Sequence, residues 1–201
     1  YIFIFGRKKM QFINDIFLSL ALNAKGYKNF GNFTQTGEKK FIQSISKDLM
    51  ICIDVGANVG KYTELLLSET NSKIISFEPL KKAFEDLKKI QNQFPDRLKV
   101  FNYAIGAENA NLELNFSDEK SEKATFSRDI DKLSFFDYEK NKKVMTNVIT
   151  LDSFLSQNPN LLDNKEIDLI KIDTEGFELE VIIGARDTIE NKCLKYIQLE
   201  F

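Results

Sequence analysis

Short apolar segments alternate with helical patterns through much of the chain, and this alternation constrains the fold more than any other feature. The first apolar segment is Ile51–Val55, and a helical pattern follows over Lys61–Ser68. The second is Lys73–Glu78, after which a helix is predicted from Leu80 to about Gln93. Near-continuous apolar strands joined by helices are typical of a parallel sheet with helices on both faces. The sequence therefore predicts an α/β fold with a mostly parallel, doubly wound sheet and right-handed crossovers.

The alternation of strands and helices changes after a third predicted strand over residues 98–104. A turn at Gly106 precedes residues 111–116, whose alternating pattern predicts an antiparallel strand. Residues 117–143 are rich in charge, and a long irregular stretch within a compact domain is typical of either a functional loop or disorder. We favour a lid on the substrate side. Its aromatic residues could stack on a sugar ring or cover the core; they are Phe126, Phe135, Phe136 and Tyr138.

Regular structure is expected again beyond this segment. The pattern predicts a strand over residues 144–150 and a short helix over 151–157. A further strand is predicted over 167–173, a helix over 178–191, and a final core strand over 196–201.

Residues 1–50 are predicted to form a helical extension before an α/β domain of residues 51–201. Apolar residues three and four positions apart from Met10 to about Gly26 predict an amphipathic helix, which we interpret as packing on a core rather than binding a membrane. A second short helix is predicted over Glu38–Asp48. Because the chain begins without methionine and ends on a predicted strand, we expect a fragment or the ordered part of a longer protein.

Composition excludes several classes of function. The 201 residues include no histidine, which excludes Ser-His-Asp, Cys-His and His-metal sites built from this chain alone. The 28 basic and 30 acidic residues are scattered and give a formal net charge of −2, so no nucleic-acid partner is expected. No apolar run is long enough to span a bilayer, and two widely separated cysteines indicate neither a disulfide framework nor a metal cluster. We expect a cytoplasmic protein.

A glycine-containing segment, Asp-Val-Gly-Ala-Asn-Val-Gly, occupies residues 54–60 between the first strand and its helix. Glycines let the backbone approach a ligand, and open α/β sheets bind ligands at the carboxyl ends of their strands, although many such loops are only turns. The spacing differs from the G-x-G-x-x-G of dinucleotide sites, and Asp54 would repel a pyrophosphate. The same carboxylate suits the ammonium group of a methionine moiety, and Asn58 could help to complete a polar shell around the carboxylate of that moiety. These residues favour S-adenosylmethionine over NAD.

A second acidic residue, Glu78, ends the second strand and is followed by Pro79. An acidic residue about 20 positions beyond the glycine loop is well placed to accept hydrogen bonds from ribose hydroxyls, which any nucleoside-containing cofactor carries. The alternative interpretation is a solvated glutamate at a strand end.

A third polar segment, Lys-Ile-Asp-Thr-Glu-Gly-Phe-Glu, occupies residues 171–178 at the end of another predicted strand. Asp173 and Glu175 are candidates for acceptor binding or, since histidine is absent, for removing a proton from an acceptor hydroxyl. Lys171 is a third candidate, although it could equally form an ion pair with one of these carboxylates. Alternatively, Glu175 and Glu178 only favour the first turn of a helix through its dipole. Asp173 could bind a divalent metal, but no second and third ligands are evident, so no metal site is predicted.

Together the three segments resemble the FkbM family of methyltransferases. The pattern of that family looks like Asp-Val-Gly-Ala-Asn-x-Gly, a strand ending in Phe-Glu-Pro, and Lys-Ile-Asp-x-Glu-Gly-x-Glu. The chain matches it at 54–60, 77–79 and 171–178, and the similarity extends from about Ile51 to Phe201. The resemblance implies a Rossmann-like methyltransferase fold, S-adenosylmethionine as donor, and usually methylation of an oxygen. Acceptors in the family include sugar hydroxyls and polyketide-type natural products, which implies a small-molecule or glycan hydroxyl as the partner.

Carried over residue by residue, the resemblance also implies a set of cofactor contacts. Residues that would line the methionine end are Asp54, Gly56, Ala57, Asn58 and Gly60. Glu78 would bind the ribose, and the region that includes Asn102 and Ala104 would surround the adenine. The chain departs from the family in two places. The region after Phe201, where such a sheet normally gains its last strands, is missing, and the segment 117–143 matches nothing in the family pattern. Two other functions stay open, a non-catalytic nucleotide-binding domain and an NAD-dependent oxidoreductase.

Overall fold

The structure is a computed structural model of the chain that describes residues 37–116, 124–126, 142–163, 165–191 and 194–200. The chain forms two compact units, residues 1–46 and 47–201. The described part of the first unit is the helix α1, Gly37–Ile45, and a short 3₁₀ helix over Ser46–Asp48 follows it. The helix predicted over 38–48 is therefore confirmed, with a tighter last turn. The helix predicted from Met10 to Gly26 lies outside the described residues.

The second unit contains nine described strands, five described α-helices and a described 3₁₀ helix over Pro159–Leu162. The strands are β1 (Ile51–Val55), β2 (Lys73–Phe77), β3 (Leu98–Phe101), β4 (Ala104–Ile105), β5 (Ala110–Phe116), β6 (Ala124–Thr125), β7 (Lys142–Ile149), β8 (Leu169–Ile172) and β9 (Tyr196–Leu199). The helices are α2 (Lys61–Glu69), α3 (Lys81–Gln93), α4 (Leu151–Gln157), α5 (Glu178–Gly184) and α6 (Arg186–Asn191). Among the described helices, none combines the length and the apolar character that crossing a membrane requires.

A five-stranded, all-parallel sheet forms the centre of this unit. Its spatial order is β3-β2-β1-β8-β9, and every neighbouring pair is parallel. One face of β1 joins a core cluster that includes Phe154 of α4 and Val181 of α5, whereas Asp54 on the opposite face bonds Thr63 of α2. Helices thus cover both faces, which confirms the doubly wound α/β fold. The strand order reverses between β1 and β8, and ligands bind such sheets at this switch point.

A second, four-stranded sheet has the order β4-β7-β5-β6. The predicted antiparallel strand is confirmed, because β5 pairs with β7 from Ala110↔Val148 to Phe116↔Lys142. The single strand predicted over 98–104 is wrong, since β3 ends at Phe101 and β4 belongs to the second sheet. Asn102 explains the break: its side-chain amide donates to the backbone oxygens of Glu78 and Pro79, which fixes the chain where it leaves the main sheet.

Two further predictions need correction. The helix predicted over 178–191 is two helices, α5 and α6, because Asp152 accepts hydrogen bonds from the amides of Asp187 and Thr188 and begins a new helix there. The predicted final core strand is an edge strand of the described sheet, and Ile197 within it is 41% exposed. Residues 117–123 and 127–141, which hold most of the predicted lid, lie outside the described residues.

Candidate active site

The three polar segments meet at the carboxyl ends of neighbouring strands. The glycine loop, residues 54–60, begins with the last two residues of β1, which lies between β2 and β8 in the sheet. The backbone of Asp173 touches this loop, since its amide donates to Val55 O at 3.0 Å. Gly56 has φ +79°, and a Cβ there would lie 1.8 Å from Asp173 O. Only glycine fits this contact, so the sequence of the loop allows the third segment to pack directly against it.

The amides of the glycine loop are largely used within the protein. Four of them donate to protein acceptors: Gly56 and Ala57 to Phe77 O at 3.1 and 3.0 Å, Asn58 to Glu78 Oε2 at 2.8 Å, and Gly60 to Ala57 O at 2.9 Å. A dinucleotide-binding loop instead directs free amides at a pyrophosphate. The loop therefore fixes the ends of β1 and β2 relative to each other and does not form an amide cradle for phosphate.

Glu78 lies directly after β2 and is only 5% exposed. One carboxylate oxygen accepts from the Asn58 amide and the other from the Leu80 amide, both at 2.8 Å. Burial raises the pKa of Glu78 to about 7, against the two backbone hydrogen bonds, which lower it. Since a carboxylate offers about four acceptor positions, two positions are left for other donors. Glu78 is thus a buried anchor of the glycine loop with capacity to bind a ligand.

Asp54 lies within β1, one residue before its end, and its side chain is completely buried. Its Oδ2 accepts a hydrogen bond from Thr63 Oγ1 at 2.7 Å, whereas Oδ1 has no hydrogen-bond partner among the described residues. Burial raises the pKa of the Asp54 carboxyl, and the positive charge of Lys171 opposes that effect. The buried carboxylate therefore retains one acceptor atom that a cationic group could satisfy.

Lys171 and Asp173 form an ion pair at the end of β8. The ammonium lies 2.8 Å from Asp173 Oδ2, with the lysine side chain 6% and the aspartate side chain 27% exposed. Burial alone would lower the pKa of Lys171, but the charges of Asp54 and Asp173 raise it above its ordinary value. The structure thus shows the ion pair that we gave as the alternative role of Lys171. Because its pKa is raised, Lys171 holds its proton too firmly to act as a base.

The two glutamates of the third segment lie in different environments. Glu178 is buried, and its Oε1 accepts three hydrogen bonds at 3.0 Å, from the amide and hydroxyl of Thr174 and the amide of Gly176. These three bonds close the loop after β8. Glu178 therefore has a more specific role than a favourable interaction with the helix dipole. Glu175 is exposed at the tip of this loop with φ +53°, a conformation that non-glycine residues rarely adopt.

The two residues expected near the adenine, Asn102 and Ala104, lie in different parts of the structure. Asn102 is exposed after β3 and bonds Glu78 O at 2.8 Å and Pro79 O at 2.9 Å, so it lies beside the candidate ribose residue. Ala104 is buried in β4, where it pairs with Val148 of the second sheet.

A row of polar residues that our sequence analysis missed crosses the main sheet. Parallel pairing places Asp54 opposite Ser76 and Lys171, and Lys171 opposite Gln198. Thr63 bridges Asp54 and Ser76, with its Oγ1 2.7 Å from Asp54 Oδ2 and 2.9 Å from Ser76 Oγ. Position along the strand could have revealed the row, because each strand residue in it is the last but one of its strand.

An apolar wall adjoins the glycine loop. The rings of Phe126 and Phe177 lie 4.7 Å apart, and both Phe126 and Val59 pack against a cluster of buried residues. That cluster consists of Leu80, Ala83, Leu114 and Phe116. Of the aromatic residues in the predicted lid, Phe126 thus covers apolar residues beside the loop, while Phe135, Phe136 and Tyr138 lie outside the described residues. The described part of the chain shows no group of acidic or cysteine residues that could hold a metal ion.

Comparison with known proteins agrees with the geometry. The model of a family described as the Methyltransferase FkbM domain matches residues 54–201, which include all three polar segments. A similar protein, Methyltransferase 1 of Beauveria bassiana (strain ARSEF 2860), is 25% identical over 147 residues, and the match covers 67% of this chain and 58% of that protein. The chain therefore spans less than two thirds of the length of that relative. Because the family model covers most of the chain, the protein belongs to the FkbM methyltransferase domain family.

Proposed function

We propose that the protein is an S-adenosylmethionine-dependent methyltransferase that methylates a hydroxyl group on a glycan or another small molecule. The observation that carries this proposal is the contact between the glycine loop and the loop after β8. Together with the hydrogen bond from the Asn58 amide to Glu78, that contact brings Asp54, Glu78 and Asp173 to the carboxyl end of the sheet. The charges of Asp54 and Asp173 there add to burial in raising the pKa of Glu78. Family membership supports methyl transfer, and the class of acceptor rests on the resemblance.

Charge supports S-adenosylmethionine over a dinucleotide. Three carboxyl groups and one buried ammonium surround the glycine loop, so the region suits a cation better than an anion. Asp54 Oδ1 would face the ammonium of the methionine moiety, and Glu78 would accept hydrogen bonds from the ribose with its two remaining acceptor positions. When bound, S-adenosylmethionine supplies an electrophilic methyl group on a positively charged sulfur.

Asp173 is our candidate for the general base. An alcohol is a weak nucleophile while it is protonated, and a carboxylate beside it can take up the proton as the carbon–oxygen bond forms. Asp173 is partly exposed at the edge of the sheet, and Lys171 holds its Oδ2, which leaves Oδ1 as the atom to accept that proton. Lys171 orients this carboxylate. Glu175, exposed on the same loop, is the second candidate.

Two alternatives make different predictions. An NAD-dependent oxidoreductase would bind NAD. The loop amides that such a site requires already donate hydrogen bonds to Phe77, Glu78 and Ala57. A non-catalytic nucleotide-binding domain would bind S-adenosylmethionine and transfer no methyl group.

Calorimetric titration with S-adenosylmethionine, S-adenosylhomocysteine and NAD tests the donor. We expect the first two to bind and NAD not to bind. Asp54→Asn and Glu78→Gln each remove a charged acceptor, so S-adenosylhomocysteine should bind at least about tenfold more weakly.

Asp163→Asn is the matched aspartate control, because Asp163 pairs with Lys73 at the opposite end of β2. Glu113→Gln, which affects a pair with Lys143 on the second sheet, is the matched glutamate control. Binding of NAD alone, or of none of the three, would contradict the proposal.

Transfer of a labelled methyl group from S-adenosylmethionine tests the reaction. The panel of acceptors should contain monosaccharides, oligosaccharides and hydroxylated aromatic compounds. Asp173→Asn should lower kcat for any active acceptor by about 100-fold or more, because it removes the proposed base. The affinity for S-adenosylhomocysteine should stay close to that of the wild type. Full activity in this variant would point to Glu175, and Glu175→Gln tests that alternative directly.

A further inference from the structure

Tyr62 connects the glycine loop to the ion pair at the end of β8. It is the second residue of α2, which begins directly after Gly60, and it is only 4% exposed. Its hydroxyl donates to Gln198 Oε1 at 2.6 Å, and Gln198 lies beside Lys171 in the sheet. The ring is thus fixed at one end by the helix and at the other by β9.

The face of this ring lies against the Lys171 ammonium, which is 5.0 Å from the ring centroid. A lysine side chain is long and flexible, so a buried ammonium needs partners that define its position. Asp173 is one partner, at 2.8 Å, and the electron-rich face of Tyr62 is another. The ring thereby helps to hold the ammonium where the charges of both Asp54 and Asp173 act on it.

We propose that Tyr62 is a positioning residue that couples donor binding in the glycine loop to the Lys171–Asp173 pair. Tyr62 belongs to the first turn of the helix that this loop starts, so a ligand that shifts the loop also shifts the ring under the ammonium. Donor binding would then change the orientation of the Asp173 carboxylate through the Tyr62 ring and the Lys171 ammonium. This inference rests on the proposed function, because it takes the glycine loop to be the donor site.

Three substitutions separate this role from simple packing. Tyr62→Leu removes the ring, and Tyr62→Met removes it but leaves a longer, more adaptable apolar side chain, which provides a second variant if the first does not fold. Tyr62→Phe keeps the ring and loses only the hydroxyl. Tyr196→Leu is the matched control, since Tyr196 lies at the other end of β9 and pairs with Leu169.

The measurement is the NMR signal of the Lys171 side chain in protein labelled with ¹³C at the lysine ε carbon, assigned by its loss in Lys171→Met. In the wild type, the ring should displace the Hε signal upfield, and addition of S-adenosylhomocysteine should move it. We expect Tyr62→Phe and Tyr196→Leu to retain both effects, and Tyr62→Leu and Tyr62→Met to lose the displacement and most of the response.

The outcomes separate the inference from the proposed function. If S-adenosylhomocysteine binds every variant in calorimetry and moves the Lys171 signal equally with and without the ring, the coupling is refuted while the proposed donor site stands. If it does not bind the wild type, the proposed donor site and the coupling are refuted together. Loss of the response in only the ringless variants supports the coupling.

Discussion

At the scale of single residues, we expect Glu78 to determine the pH range in which the proposed donor site works. Burial raises its pKa from 4.5 to about 7, so the carboxyl is largely protonated in mildly acidic solution. A protonated carboxyl offers fewer acceptor positions to the ribose hydroxyls and lacks the negative charge that strengthens those bonds. Donor binding should therefore favour the ionised form.

We expect the affinity for S-adenosylhomocysteine to rise between about pH 6 and about pH 8, by at most about tenfold per pH unit below the pKa. Calorimetry across this range measures the change. Glu78→Gln cannot ionise, so its affinity should be weaker and nearly independent of pH, whereas Glu113→Gln should follow the wild type. Equal affinity of the wild type at both ends of the range would refute this role for Glu78.

Which of these residues the sequence could predict depends on how local their contacts are. The glycine loop, Glu78 and the loop after β8 were predictable, because each lies at a strand end that periodicity reveals. The burial of Asp54 and its alignment with Lys171 were not predictable, because they depend on the pairing of β1 with β8, which are far apart in the sequence.

At the scale of elements, the junction between α5 and the second sheet depends on Gly184. A Cβ there would lie 1.9 Å from Gly106 O, a backbone atom, and 3.3 Å from Thr150 Cβ. Helix propensity alone predicts that Gly184→Ala stabilises α5 by up to about 1 kcal/mol. The clash predicts the opposite, since α5 or β4 must move, and overpacking of this kind costs about 1–3 kcal/mol.

We therefore expect Gly184→Ala to lower the free energy of unfolding in urea. The neighbouring Ile183→Ala is the control, because Ile183 is 51% exposed and its truncation should change that free energy by less than about 0.5 kcal/mol. An increase in stability for Gly184→Ala would show that the close approach to Gly106 is not maintained in solution.

Two of the errors in predicting elements have a common cause. Residues 98–104 and 178–191 each read as one continuous element, yet each is divided by contacts from distant residues. Asn102 is held by the backbone of Glu78 and Pro79, and α6 is started by Asp152. Periodicity reports which side of an element is apolar, and it carries no information about such tertiary hydrogen bonds.

At the scale of the whole molecule, residues 47–201 contain a hydrophobic core of their own. Two clusters of described buried residues within this unit are built from residues from Ile51 onward. A boundary at residue 50, as predicted from the sequence, would remove local contacts, because Asp168 Oδ2 accepts from the amides of Met50 and Ile51 at 2.6 and 3.0 Å. We therefore propose that the methyltransferase-family domain begins at Lys47.

A chain of residues 47–201 should fold cooperatively and bind S-adenosylhomocysteine with the affinity of the 201-residue chain, since all the proposed donor contacts lie within it. Urea unfolding and calorimetry on both proteins make this comparison. Asp168→Ala in the shorter chain is the control for the boundary. It leaves the Met50 and Ile51 amides without their acceptor, so it should lower the free energy of unfolding by about 1–3 kcal/mol. If residues 47–201 fail to fold, or bind S-adenosylhomocysteine much more weakly, then the first 46 residues are needed to complete the domain, and the proposed boundary is wrong.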